Sequence, residues 1–112
     1  MNMLRVFVDI ECVHNKYNKL VIKELALAKL DGSSQSWVFT APHVYEELPQ
    51  HVRSVNSWLL NKHHGLSWFD GDVPICRLKH ILAKHIPAGS EVYVKGSVKA
   101  ALLGDKVNLS HG

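Results

Sequence analysis

The chain has 112 residues, 46% of them hydrophobic and 21% charged, with 13 lysines and arginines against 10 aspartates and glutamates and a formal net charge of +3. A chain of that length makes one domain able to bury about two-thirds of its unfolded surface, and its composition excludes a low-complexity, repetitive or membrane-spanning chain. The small basic excess allows a polyanionic partner such as nucleic acid without requiring one.

The opening MNMLRVFVDIE does not read as a signal peptide, because its apolar run is short, alternates and carries acids where a cleavage site would stand. The expected location is therefore intracellular, cytoplasmic or nuclear, with no membrane partner. Cys12 and Cys76 share no local motif, and in a reducing compartment both read as buried thiols.

Leu4 to Glu11 is the first strand. Leu4, Val6, Val8, Ile10 and Cys12 make one face, and Phe7, Asp9 and Glu11 the other. An apolar run on both faces predicts a central, buried strand that ends in two carboxylates. Such a pair is tolerated where water reaches it or where a hard divalent cation sits between its members. CVHNKYNK is a polar, Asn-rich turn. Leu20 to Leu30 has helix-favouring composition, yet it lacks a helical start and runs into Asp31-Gly32, a strong hairpin signal. It is read as a second strand, and Ser36 to Thr40 as a third, which completes an antiparallel meander.

From Pro42 the spacing turns helical: Val52, Val55, Trp58 and Leu59 recur at three and four residues. His63 to Asp72 is too glycine-rich and aromatic to be regular. Asp72 and Pro74 predict the cap and first turn of a second helix, which keeps Ile75, Leu78, Ile81, Leu82 and Ile86 on one side and stops at Pro87. Glu91 to Lys95 is a fourth strand, Gly96-Ser97 breaks it, and Val98 to Leu103 is helical. That order requires the fourth strand to run parallel to an earlier one through a crossover. GDKVNLSHG reads as the start of a fifth strand.

The order of elements, with an acidic pair ending the first strand, resembles the ribonuclease H-like fold, and within it the DEDD-type 3′ to 5′ exonucleases. The first strand of that family ends in D-x-E, matched by Asp9-Ile10-Glu11. Its second strand has an I-x-E-x-A pattern before a D-G turn, matched by Ile22 to Ala26 and Asp31-Gly32, and a proline follows its third strand, as Pro42 does here. An H-G-I-T-like segment and a G-x-P are matched by His64-Gly65-Leu66-Ser67 and by Gly71 to Pro74. The strand that leads to the second metal-binding aspartate is matched by Val92 to Gly96. The resemblance implies an α/β fold: a mixed sheet of three antiparallel strands plus a parallel one, flanked by helices. It also implies that 1–112 form a single exonuclease-like domain, incomplete at its C-terminus.

The departures are chemical. Where the family carries its second aspartate this chain has Ser97-Val98-Lys99, with no carboxylate until Asp105, and the later helix with the general-base histidine and final aspartate has no counterpart, His111 being too near the end. Two-metal phosphodiester hydrolysis needs cations about 3.5–4 Å apart held by several carboxylates. Only Asp9 and Glu11 are at hand as metal-ligating and catalytic candidates, so Mg²⁺ or Mn²⁺ would bind weakly. Lys99 puts a positive charge where a metal would have been, and Lys95 and Lys99 are the candidate nucleic-acid contacts. His63-His64 with Cys76 or His80 lacks a zinc spacing, and Trp58, Trp68 and Phe69 read as packing aromatics before base-stacking ones. The expected function is an inactive exonuclease-like domain that binds single-stranded DNA or RNA or a protein partner. Two alternatives are a protein-interaction module of viral or mobile-element origin and a metal-dependent nuclease completed by a partner chain.

Overall fold

A computed structural model describes residues 4–104, leaving aside the side chains of His63, His64 and Ser97. The elements are β1 (Arg5–His14), β2 (Leu20–Lys29), β3 (Ser34–Val38), α1 (Gln50–Leu59), α2 (Leu78–His85), β4 (Glu91–Val94) and α3 (Ser97–Gly104). The four strands form one mixed sheet in the order β3-β2-β1-β4, three antiparallel and one parallel. β1 is central, and the crossover from β3 to β4 carries α1 and α2. Leu20–Lys29 is extended, as its approach to Asp31-Gly32 predicts: Gly32 has φ +91°, and Asp31 Oδ1 accepts from the Ser33 amide at 2.8 Å and its hydroxyl at 2.6 Å. The expected fifth strand, Asp105 and His111 lie outside the described residues. No helix among the described residues is long and apolar enough to cross a membrane.

The chain packs as two compact units, and β1, β2 and β3 each contribute residues to both. The first comprises the chain up to Asp9, 26–36 and the chain from Cys76 onward. Here β1 and β4 pair in parallel, Arg5 with Glu91 through Val8 with Val94. Val6, Val8, Leu27, Leu78, Ile81, Leu82 and Leu103 are its buried apolar side chains. Leu78, Ile81 and Leu82 stand three and four apart, so one stripe of α2 turns inward. The cap expected at Asp72 is absent: α2 begins behind Arg77 with no side-chain cap, preceded by a 3-10 turn at Ile75–Arg77. Cys76, expected to be buried, is exposed because it sits in that turn. Cys12 is buried as expected.

The second unit comprises 10–25 and 37–75. Its core is Val13, Leu48, Val52 and Trp68, with Val21, Ala41 and Tyr45 packed around it. Full burial of Val13, Leu48 and Val52 contributes about 1.5–3 kcal/mol each. Asn56 of α1 treats β1 as a neighbouring strand would: its Oδ1 accepts from the His14 amide at 2.8 Å and its Nδ2 donates to the His14 carbonyl at 2.9 Å. The Asn-rich turn closes because Asn15 Oδ1 accepts from the amides of Tyr17 and Lys19, at 2.9 and 3.0 Å. Asn18 there takes a left-handed φ of 59°.

Lys23 is the unexpected member of this core. Its residue is fully buried, and its ammonium donates to the Phe39 carbonyl at 2.6 Å and to the Asp70 carbonyl. Burial lowers its pKa from the ordinary lysine value, against the raising influence of the Asp70 carboxylate. The two carbonyls tie the irregular 65–73 segment to the end of β3. Phe39 there makes a parallel bridge to Val73, and Thr40 donates to the Val73 carbonyl at 2.9 Å. β3 itself begins two residues earlier than the expected Ser36 and ends at Val38, where this bridging takes over.

Candidate functional site

Asp9 and Glu11 are not at the end of β1, because the strand continues to His14. The carboxylates end only the segment paired with β4, whose last partners are Val8 and Val94. Along the first half of β1 burial alternates strictly: Val6, Val8 and Ile10 are buried, whereas Arg5, Phe7 and Asp9 are exposed. Phe7, expected to be covered, is 42% exposed. Glu11, two residues beyond Asp9, is partly buried and belongs to the second unit.

The parallel register sets what stands beside each exposed residue of β1. Arg5 Nε lies 3.5 Å from Glu91 Oε2. The rings of Phe7 and Tyr93 stack, with centroids 5.2 Å apart and planes 19° from parallel. The Tyr93 hydroxyl donates to Glu91 Oε1, and that hydrogen bond raises its pKa, helped by burial and by the carboxylate's charge. One residue past the last pair, β4 turns through Lys95 and Gly96, whose φ of 94° permits an immediate entry into α3. The Ala100 amide then closes the first turn on the Gly96 carbonyl at 3.0 Å.

This geometry brings Lys99 to Asp9: its ammonium lies 3.5 Å from Asp9 Oδ1. The side chains are 35% and 63% exposed, so the pair contributes at most about 1 kcal/mol to stability. Its chemical consequence is larger than its energy. A fixed cation at the carboxylate opposes a second cation there by like-charge repulsion. Among the described residues no three or more histidines, cysteines, aspartates and glutamates come together in a way that could hold a metal ion.

Of the four predicted site residues, the structure joins Asp9 and Lys99. Lys95 is exposed in the turn before α3, on the same unit. Of the aromatics, Trp68 is buried in the second unit's core as expected, whereas Trp58 and Phe69 are 54% and 74% exposed. The Phe7–Tyr93 stack was not anticipated from the sequence, although its signal is present. Aligning the two alternating strands RVFV and EVYV places the aromatic of one beside the aromatic of the other. Neither a family model nor a curated protein matches this chain.

Proposed function

We propose that the chain is an exonuclease-like domain of ribonuclease H-like fold that has no nuclease activity and binds single-stranded nucleic acid. The observation that carries the reading is the Lys99 ammonium 3.5 Å from Asp9, in the first turn of the helix where the resemblance puts a metal-binding carboxylate. The mixed sheet, with its parallel fourth strand beside the first, supports the fold part of the reading. Without a divalent centre the reaction lacks both a source of hydroxide and a stabiliser for the leaving oxygen. What remains is a patch suited to binding. Lys95 and Lys99 supply positive charge toward phosphates, and the exposed Phe7–Tyr93 stack offers a flat face to an unpaired base.

Two measurements test this. The purified chain should release no more nucleotide from a single strand in Mg²⁺ or Mn²⁺ than the Asp9→Ala, Glu11→Ala double variant does. Metal-dependent release above that background, or a large metal-induced rise in Tm absent from the double variant, overturns the inactive reading and favours a nuclease whose site is completed by a partner chain.

Binding to a single strand should weaken with salt. Replacing Lys95 and Lys99 by methionine should reduce the slope of log K against log salt by about 1.4, two contacts at roughly 0.7 each. A flat salt response, or no binding at low salt, transfers the patch to the alternative of a protein-interaction module.

A further inference from the structure

The first unit contains a second cluster of polar and basic groups, one that has no part in the reading of Asp9 and Lys99. The β2–β3 hairpin and the last turn of α2 border an open cavity of about 90 Å³ lined by Leu27, Lys29, Ser33, Ser34, Gln35 and His85. Its size is well below the roughly 300–1,000 Å³ of pockets that take drug-sized ligands, so an occupant has only a few heavy atoms. Ser34 and Gln35 bring neutral polar side chains to its lining. Ser33, by contrast, is committed to Asp31 through both its amide and its hydroxyl.

We infer that this cavity binds a small oxyanion, a phosphate group, with Lys29 as the cation and Ser34 and Gln35 as neutral donors beside His85. The charges point that way. Lys84 and Lys29 both act on His85 and, after burial, hold its imidazole below its ordinary pKa. Lys29 also acts on the carboxylate of Asp31, whose Oδ1 is turned to Ser33. Lys29 thus lines a pocket of donors, and lysine serves phosphate as a point charge in such a setting. The carbonyl end of α2 is an opposing partial charge, which sets the expected affinity in the millimolar range. An anion placed here relieves the repulsion that the imidazolium of His85 meets from Lys84 and Lys29. Binding therefore raises the His85 pKa and tightens as pH falls through it.

The test is an NMR titration of the His85 ring resonances with inorganic phosphate, against sodium chloride at matched ionic strength. The expected result is a saturable shift with phosphate only, a His85 pKa raised by about half a unit or more at saturation, and loss of both in Lys29→Met. Ser34→Ala should weaken binding several-fold while leaving the free protein's spectrum in place, which guards against a Lys29 variant that misfolds. A non-saturating shift, equal shifts with chloride, or full binding by both variants overturns the inference. Three further arms identify the source of the phosphate group. A response to a short single strand only when it carries a 5′-phosphate assigns the pocket to a terminal phosphate. A response to the same strand without it assigns the pocket to the backbone, and a response to inorganic phosphate alone assigns it to the free ion. No oligonucleotide response leaves this site intact, and failure of the phosphate titration leaves the reading of Asp9 and Lys99 untouched.

Discussion

Replacing Lys23 with alanine should lower the stability of the protein by about 4 kcal/mol in urea unfolding, the sum of a lost buried stem and two carbonyls left without a donor. The carbonyls of Phe39 and Asp70 accept from the Lys23 ammonium inside the second unit, where the residue has no exposed surface. Lys23→Met keeps the unbranched stem and removes the charge. It leaves the same carbonyls unpaired, and it also relieves the cost of holding an ion away from water, so its loss should be smaller, about 1–2 kcal/mol. An alanine variant within 1 kcal/mol of the parent would mean that the ammonium does not hold those carbonyls.

The pH dependence of the same pair of proteins has a definite sign. Burial lowers the folded pKa of Lys23 below its ordinary 10.5. Between that lowered value and 10.5 the unfolded chain binds more protons than the folded one, so this lysine makes stability rise with pH across that window. Below it the cost of the buried charge is constant. Tyr93 and Lys16, whose folded pKa values are raised, act in the opposite direction as the pH rises through them. The contribution of Lys23 is therefore read as the difference between the parent and Lys23→Met, and that difference should change in favour of the parent as alkali is added.

Gly71→Ala is expected to cost about 3 kcal/mol or more. A Cβ at Gly71 would sit 2.7 Å from the Phe39 carbonyl carbon and 2.9 Å from the Val38 carbonyl oxygen, with the Phe39 oxygen nearer still, and the residue has φ +104°. Both obstacles are backbone, held by the bridge between Phe39 and Val73, so neither can move aside cheaply. Gly32→Ala separates strain from collision, because Gly32 has φ +91° and open space around its Cβ position. That variant should lose only the backbone term, about 1 kcal/mol. Equal losses at the two glycines would remove the close approach as the cause. Combined with Lys23→Met, the Gly71 change should be less than additive, since each loosens the same junction of loop and strand.

The strands were legible where local signals agreed. Alternation in LRVFVDIE, the Asp31-Gly32 turn and the VYV-Lys-Gly break locate β1, β2 and β4, and the spacing of Leu78, Ile81 and Leu82 locates α2. Lys23 was missed because a lysine in a strand is read as solvent-facing. Yet Lys23, Leu25 and Leu27 share one face of β2, and all three are buried. The period-two pattern already placed the lysine among core residues; its two carbonyl partners, contributed from β3's end and from the 65–73 segment, could not be read locally. Asp72 was read as a cap from its type and its place before Pro74, but its amide is engaged with the Val38 carbonyl at 3.3 Å and the chain enters α2 through a 3-10 turn instead. At the candidate site, the acidic pair and the basic turn were visible separately. The meeting of Asp9 with Lys99 depends on the parallel register of β1 with β4, which only the folded arrangement supplies.

That register has a consequence for how the protein is made. Arg5 pairs with Glu91, so the partner of the first strand is among the last parts of the sheet to be synthesised. At roughly 5–20 residues per second, the inner edge of β1 spends seconds on the nascent chain as a row of unmatched amides and carbonyls, with Phe7 exposed beside it. The antiparallel meander can close early because its contacts are local, whereas the parallel pair waits for the crossover. Until β4 arrives, that open edge is where a neighbouring nascent chain could pair by mistake, and Arg5 and Asp9, charged and alternating along it, are the residues that discourage such a match.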